Sequence, residues 1–311
     1  EIYPKVKEIS KLKYFVSELN QPIASDLLFP NSLVFEKAEE ISLDSIMNGS
    51  GAEMLLGNLK ISKIAFYLEK IEKIVPRAIR NPLYKVVGKV KGLSKNQIEF
   101  LLARSWPERF LHTRGSLFSR EKKYFKNLPD DFLDVFIKDI EKLFDIKKIN
   151  LLDKLTLVYM FGWTNYLQMR DFTAMGKRYG VCPIMPFDTL RVASALFKTP
   201  NKFRRKNNWN KQVIRDALRP YVSEDLYNNK VRSLIVPYTE WFEYSHSEFI
   251  KYLRTSKIIS ETINLDKYEK EYNTLPEPGL SLMRLLGVAI WYDVNWNPRN
   301  VENFDKAVKK L

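Results

Sequence analysis

Apolar residues recur at helical spacing along most of this chain, and one short segment breaks the pattern. Between Ile61 and Ile74 they return every three or four positions until Pro76 ends the run. The same spacing predicts further helices over Leu151–Met169, Thr189–Phe197, Thr239–Leu253 and Leu280–Trp291. We therefore expect a mainly α-helical fold.

The segment that breaks the pattern is Ser42–Met47, which runs directly into Asn48-Gly49-Ser50-Gly51-Ala52-Glu53. The half-apolar run predicts a short strand. The two glycines would allow backbone N–H groups to approach an anion without a Cβ in the way. Such a segment is typical of a phosphate-binding loop, and it is also found in ordinary turns. It is neither the dinucleotide fingerprint, since the third glycine is absent, nor a Walker loop, since no Gly-Lys-Ser/Thr follows.

Cysteine and histidine usage excludes several kinds of site. The 311 residues include one cysteine, Cys182, so a disulfide framework and a Cys-rich zinc site are excluded. Two histidines, His112 and His246, lie far apart in the sequence, and we expect no His-ligated metal centre. The apolar stretch from Leu280 to Ile290 is too short for a membrane span and carries Arg284. A single thiol is compatible with a reducing compartment, and we expect a cytoplasmic protein.

The charge balance is strongly positive, with 51 Lys+Arg against 37 Asp+Glu and a net charge of +14. A field of this size attracts polyanions. The basic residues are nevertheless spread along amphipathic segments, and only Lys202–Lys211 forms a denser run. No RNA-recognition, zinc-finger or helix-turn-helix signature accompanies that run, so we expect a solvated basic surface and not a nucleic-acid-binding protein.

Several motifs resemble one family in the same order along the chain. Met47–Asn58 (MNGSGAEMLLGN) resembles the Ser-Gly-Asp/Glu-Gly-x-Asp-Glu-Leu-Phe-Gly-Gly-Tyr loop of the synthetase domain of asparagine synthetases. β-Lactam synthetases and the cyclases of lasso-peptide pathways share that domain. Other segments are similar to further motifs of the domain; they are Leu19–Ala24, Asp171–Met175, Pro186–Asp188, Lys211–Leu218, Lys230–Phe242 and the apolar helix that carries Trp291.

The resemblance implies a fold and an activity. The fold would be a mainly α-helical chain carrying the last strand or strands of a parallel α/β nucleotide-binding domain. Residues 1–60 would be the terminal part of that domain, and residues 61–311 the helical remainder. The activity would be ATP-dependent amide-bond formation, in which a carboxylate is adenylated and an amine then attacks the adenylate. Such chemistry uses ATP as a substrate. It also needs Mg²⁺, because the nucleotide phosphates and the substrate carboxylate repel each other.

The resemblance also assigns roles within the glycine loop. Asn48 and Gly49 take the place of the Ser-Gly pair at the nucleotide, and Gly51 belongs to the same nucleotide-binding loop. Glu53 takes the place of an aspartate that holds magnesium, and its carboxylate keeps the oxygen ligands that Mg²⁺ requires. Ser50 stands at a catalytic position where the family has an acidic residue associated with acyl-adenylate chemistry.

A second catalytic position lies far downstream. The resemblance makes Lys230 the lysine that meets the departing pyrophosphate. The segment from Lys230 to Pro237 is one residue longer than the family's, so Arg232 is a rival for this role.

The departures from the family are as informative as the matches. The family's ATP-binding Ser-Gly-Gly-x-Asp-Ser loop occurs nowhere in this sequence, and neither does a glutaminase domain. We expect an upstream fragment or a partner chain to supply the loop, and with it a homo- or hetero-oligomer. Because a serine hydroxyl cannot serve as a carboxylate base, we expect the chain to be inactive by itself. The alternative is a catalytically degenerate homologue that acts as a binding or structural subunit.

Overall fold

The computed structural model of the protein describes residues 5–23, 27–52, 68, 70–90, 95–103, 105–109, 122–129, 131, 134–147, 149–161, 169–204, 212–228, 236–275 and 277–310. In these parts the chain is mainly helical, and two short parallel strands complete it. This confirms the predicted fold class. None of the described helices is long and apolar enough to cross a bilayer.

The described helices of the first half of the chain differ in length from eight to fourteen residues. They are α1 (Leu12–Leu19), α2 (Leu28–Glu40), α3 (Arg77–Val90), α4 (Lys95–Leu102), α5 (Asp134–Phe144) and α6 (Leu151–Tyr159). A 3₁₀ helix at Val6–Lys11 precedes α1.

The helices of the second half follow at short intervals. They are α7 (Arg170–Tyr179), α8 (Leu190–Lys198), α9 (Asn201–Arg204), α10 (Gln212–Leu218), α11 (Glu224–Asn228), α12 (Tyr238–Glu243), α13 (His246–Thr255), α14 (Lys257–Thr262), α15 (Leu265–Glu271), α16 (Pro278–Trp296) and α17 (Val301–Val308). The helix predicted over Thr239–Leu253 is therefore two helices, with a break at Tyr244 and Ser245.

The sheet consists of β1 (Ser45–Met47) and β2 (Cys182–Ile184), which pair in parallel with Ile46 opposite Pro183. The sequence predicts a strand over Ser42–Met47, and the strand in the structure begins three residues later, at Ser45. Ser42 has a φ of 55° and its N–H donates to the Glu39 carbonyl at 2.9 Å, while the Leu43 N–H donates to the Ala38 carbonyl at 2.9 Å. These residues close the end of α2, so they cannot also be extended.

Helix α16 forms the centre of the core. It begins at Pro278, whose fixed φ suits a first helical turn. Leu282, Leu286 and Ile290 are inaccessible to solvent, and burial of each stabilises the fold by roughly 1.5–3 kcal/mol. Helices α1, α12 and α14 pack on α16, so elements from both ends of the chain share one hydrophobic core. The division at residue 60 stays a prediction.

Helix α7 holds the second strand in place. It packs on α2 and on β2, and Gly176 lies at the contact with β2. A Cβ at that position would lie 2.7 Å from both the Val181 carbonyl oxygen and the Pro183 ring, so only glycine permits this approach. The helix ends at Gly180, which has a φ of 63°, and the chain then enters β2.

A buried carboxylate joins the last helices. Asp293 of α16 is inaccessible to solvent and accepts hydrogen bonds from the Tyr252 hydroxyl at 2.8 Å and from Asn300 Nδ2 at 2.8 Å. The Ser256 hydroxyl lies 3.5 Å from the other carboxylate oxygen. Burial raises the pKa of this carboxyl.

Two substitutions at Asp293 should have opposite effects on stability. Asp293→Ala leaves the Tyr252 hydroxyl and the Asn300 amide buried without an acceptor, which should cost about 2–5 kcal/mol. Asp293→Asn keeps one acceptor oxygen and removes the buried charge, so its free energy of unfolding at neutral pH should equal or exceed that of the native protein. Urea unfolding of both variants measures this difference.

The pH dependence of stability provides the control. The pKa of the Asp293 carboxyl is higher in the folded protein than in the unfolded chain. The contribution of this carboxyl to the free energy of unfolding therefore falls as pH rises from the ordinary carboxyl pKa through the raised value. The Asn variant should lack this decline. An equal loss of stability in both variants would contradict the role given to the buried charge.

Candidate functional site

The carboxyl ends of the two parallel strands lie side by side. The Asn48 N–H continues the ladder by donating to the Ile184 carbonyl at 3.0 Å, and the Cys182 N–H donates to the Asp44 carbonyl at 2.8 Å. The loop Asn48–Ala52, which we call the glycine loop, follows β1, and Met185–Asp188 follows β2. Open parallel sheets bind ligands at this end of their strands.

The glycine loop has a defined conformation. Asn48 Oδ1 accepts a hydrogen bond from the Ser50 N–H at 2.8 Å, and the Ala52 N–H donates to the Gly49 carbonyl at 3.3 Å. Gly51 is buried and has a φ of +87°, a left-handed conformation that L side chains avoid. The loop is therefore a tight turn that depends on glycine at position 51.

Three donor nitrogens in this loop have no acceptor within the described part of the chain. Two are the backbone N–H groups of Gly49 and Gly51. The third donor is Asn48 Nδ2, which is buried while the other end of the same amide is engaged. Gly49 is exposed to solvent, so water can pair with its N–H, whereas Gly51 and Asn48 Nδ2 are buried. Buried donors are normally satisfied, and an anion at the loop would satisfy these two. The donor set therefore fits a phosphate.

The segment after β2 forms the wall of the site. A Cβ on Gly51 would lie 3.6 Å from the Phe187 carbonyl carbon and 3.7 Å from the Asp188 nitrogen. The Asp188 N–H donates to the Met185 carbonyl at 3.1 Å, and burial raises the pKa of the Asp188 carboxyl. Asp188 is thus a carboxylate beside the glycine loop, and sequence reasoning gave it no role. The available signal was its place at the end of Pro186-Phe187-Asp188, one of the motifs of the resemblance.

Helix α8 supports the glycine loop from below. Ala52 packs with Ala193 and Leu196 in one small hydrophobic cluster. A buried ion pair then joins neighbouring helices. Arg204 of α9 donates to Asp153 of α6 at 2.6 Å and also to the Leu196 carbonyl of α8. The side chain of Leu196 packs with Ala52, and its carbonyl accepts a hydrogen bond from Arg204. The ion pair therefore holds α8, the helix that supports the glycine loop.

The remaining sequence-predicted residues cannot be placed by the structure. Glu53, Lys230 and its rival Arg232 lie outside the described residues. The structure therefore brings together Asn48, Gly49, Ser50 and Gly51 at the strand ends and leaves the metal and pyrophosphate roles as predictions. In the described ranges, no three His, Cys, Asp or Glu side chains are grouped so that they could hold a metal ion.

Comparison with known proteins bears on what such a site does. The asparagine synthase family profile matches residues 4–291, which is most of the chain. The chain belongs to the asparagine synthase family. This confirms the resemblance drawn from the glycine loop and the motifs that follow it.

A curated member of the family is similar over nearly the whole chain. It is the glutamine-hydrolysing asparagine synthetase 1 of Bacillus subtilis (strain 168), with 21% identity over 302 residues. The match covers 94% of this chain and 46% of the relative, so the chain spans about half the length of the protein it resembles. No solved structure matches the chain significantly.

The two glycines of the loop should respond differently to substitution. Gly51→Ala forces a side chain into the left-handed region and should lower the free energy of unfolding by about 1–2 kcal/mol. Gly49→Ala is the matched control, because its φ lies outside that region and a Cβ there would meet nothing within 4 Å. Urea unfolding measures both variants. Equal losses would show that the left-handed turn is not what position 51 requires.

Proposed function

We propose that this chain is the C-terminal part of the synthetase domain of an ATP-dependent amide-bond-forming ligase. The ligase adenylates a carboxylate, and an amine then attacks the adenylate and releases AMP. The observation that carries the proposal is the glycine loop, whose three donors lie at the carboxyl ends of parallel strands and find no acceptor among the described residues, in a member of the asparagine synthase family. This arrangement supports binding of a nucleotide phosphate.

In the proposed site several groups would together offset the negative charge of the nucleotide phosphates. The N–H groups of Gly49 and Gly51 and the amide of Asn48 would hold a phosphate. Glu53 would hold Mg²⁺ together with the nucleotide's own phosphate oxygens, since Mg²⁺ is usually bound by one or two carboxylates plus substrate phosphates. Lys230, with Arg232 as the rival, would meet the departing pyrophosphate, and its charge would stabilise the leaving group.

The missing nucleotide loop would come from an upstream segment or a partner chain. Three observations support this part of the proposal. The family's Ser-Gly-Gly-x-Asp-Ser loop is absent from the sequence, the chain spans about half of its relative, and among the described residues nothing pairs with the two outer edges of the sheet. In the described part of the chain β1 pairs only with β2. Further strands, and a glutaminase domain that supplies ammonia, would then belong to that segment or partner.

Nucleotide binding tests the proposed site directly. Isothermal calorimetry of the chain with Mg-ATP and with AMP should show binding, and Lys230→Ala should weaken it by roughly 1.5–3 kcal/mol, the range for a hydrogen bond to a charged group. Glu53→Gln should remove the magnesium dependence. Lys142→Ala, which changes an exposed lysine of α5, is the charge-matched control and should bind as the native chain does.

Turnover separates the chain from the complete ligase. Because the Ser-Gly-Gly-x-Asp-Ser loop is absent from its sequence, the pure chain should bind nucleotide without forming AMP. AMP formation should appear when a segment carrying the Ser-Gly-Gly-x-Asp-Ser loop is added. No heat at millimolar nucleotide, with or without that segment, would contradict the ligase assignment.

A second candidate function is favoured by one feature of the loop. Asn48 Oδ1 occupies the Ser50 N–H, which removes one backbone donor from any ligand, and position 50 lacks the family's acidic residue. Both changes favour a degenerate homologue that binds another chain without catalysis. An assembled complex that binds no nucleotide would support this candidate against the ligase.

The open sheet edges should make the isolated chain associate. Met47 and Ile184 are exposed in the strands and Leu43 is exposed two residues before β1, and unpaired edges promote strand-to-strand pairing. Analytical ultracentrifugation should detect self-association at high protein concentration. The double substitution Leu43→Lys with Met47→Lys should suppress it, because edge lysines oppose pairing.

The control for this experiment is a substitution away from the sheet. Tyr244→Lys changes a side chain that is 91% exposed at the turn between α12 and α13 and should leave association unchanged. A monomeric native chain that also captures no partner would contradict the proposed interface.

A further inference from the structure

Helix α3 presents an exposed aliphatic stripe to solvent. Its members are Ile79, Leu83, Val86 and Val90, with exposed fractions between 49% and 78%. Their spacing of four, three and four residues places them within an arc of roughly 60° on the helix surface. The stripe runs for about 17 Å along the helix. We call these four residues the α3 stripe.

The other side of α3 already packs against the protein. Tyr84 is buried in a cluster with Leu68 and Phe100, and Arg80 lies 3.5 Å from Glu72. This cluster is separate from the core that contains Ile46 of β1, so the α3 stripe is not part of the open sheet edge. An ordinary surface helix directs its apolar face inward and its polar face outward. Here an apolar stripe remains outside after the inner contacts are made.

The charged residues of helix α3 itself all have one sign. Helix α3 contains no Asp or Glu, while Lys85 and Lys89 are exposed on one flank of the stripe and Arg77 is exposed at the start of the helix. Two more lysines, Lys91 and Lys95, follow in the sequence. The long side chains of lysine can lie along an apolar surface and keep their ammonium groups in a polar layer. A surface that complements this helix therefore offers an apolar layer to the α3 stripe and negative charge to the lysine ammonium groups.

We propose that the α3 stripe binds to the surface of an anionic lipid membrane, with the helix lying in the plane of the headgroups. A basic helix with an aliphatic face binds such surfaces by burying the apolar side chains and by attraction to anionic lipids. Two other occupants fit less well. A second copy would place Lys85 and Lys89 against like charges of a chain that carries +14. An acidic protein would need a preformed groove that fits this convex stripe, whereas a lipid surface adapts to it.

Flotation of the whole chain with vesicles tests the proposal. One set of vesicles contains phosphatidylcholine alone, and the other contains phosphatidylcholine mixed with phosphatidylglycerol. The chain should float with the anionic vesicles only, and added salt should weaken this binding. Leu83→Glu with Val86→Glu, and separately Lys85→Glu with Lys89→Glu, should each lower the vesicle affinity by roughly tenfold or more, since a lysine near such a surface contributes about a factor of five.

A matched control separates the stripe from the general positive charge. Lys138→Glu with Lys142→Glu replaces two exposed lysines of α5 and changes the net charge as much as the Lys85 and Lys89 substitutions do. It should leave vesicle binding nearly unchanged. Circular dichroism verifies that all variants are folded, and every substituted side chain is exposed in the native chain.

Three results would overturn the proposal. The first is no binding to anionic vesicles at low salt. The second is an equal loss of binding in the α5 control, which would assign the effect to overall charge. The third is binding of an acidic amphipathic peptide to the α3 stripe without any vesicle binding, which would assign the face to a protein partner.

Discussion

The packing of α1 and α12 against α16 is the interaction on which the rest of the structure depends. Leu282, Leu286 and Ile290 of α16 are fully buried, and α1 from the start of the chain is one of the helices that pack on α16. This contact closes a loop of more than two hundred residues. Its conformational cost grows only slowly with loop length, so a few well-buried aliphatic side chains can offset it. Once α1 is fixed, α2 follows it in sequence and places β1, while α7 packs on α2 and places β2.

The candidate site is therefore a consequence of helix packing more than of sheet formation. Two three-residue strands would be marginal as an isolated sheet. They persist because α2 ends immediately before β1 and because Gly176 brings α7 close to Pro183 of β2. Beneath the glycine loop, Ala52 rests on α8, and the Asp153–Arg204 ion pair holds that helix through the Leu196 carbonyl. A buried ion pair adds little net stability, but breaking one partner leaves a buried charge, so this pair favours one arrangement of the helices below the loop.

The sequence could predict the helical class and the position of the glycine loop, because helical periodicity and Gly-x-Gly after an apolar run are local signals. It could not predict β2, since Cys182-Pro183-Ile184 contains a proline and has no strand-like alternation by itself. Its pairing comes from a contact more than one hundred residues away in the chain. The start of β1 was predicted too early for a similar reason, because the hydrogen bonds that close α2 take precedence at Ser42 and Leu43. For Asp188 the sequence offers only its place in a family motif, and it is the parallel pairing that puts this residue beside Gly51.

The open sheet edge and the α3 stripe expose apolar surface for different physical reasons. At β1 and β2 the exposed side chains accompany unpaired backbone groups, and only another strand can satisfy both the hydrogen bonds and the apolar contacts. Along α3 the backbone hydrogen bonds run within the helix, with an interruption at Pro82, so they call for no partner strand. Whatever covers Leu83 and Val86 needs to supply an apolar layer and negative charge. The two surfaces belong to separate hydrophobic clusters, so covering one does not require covering the other. A chain that completes its sheet with an upstream segment could therefore keep the α3 stripe available for a membrane surface at the same time.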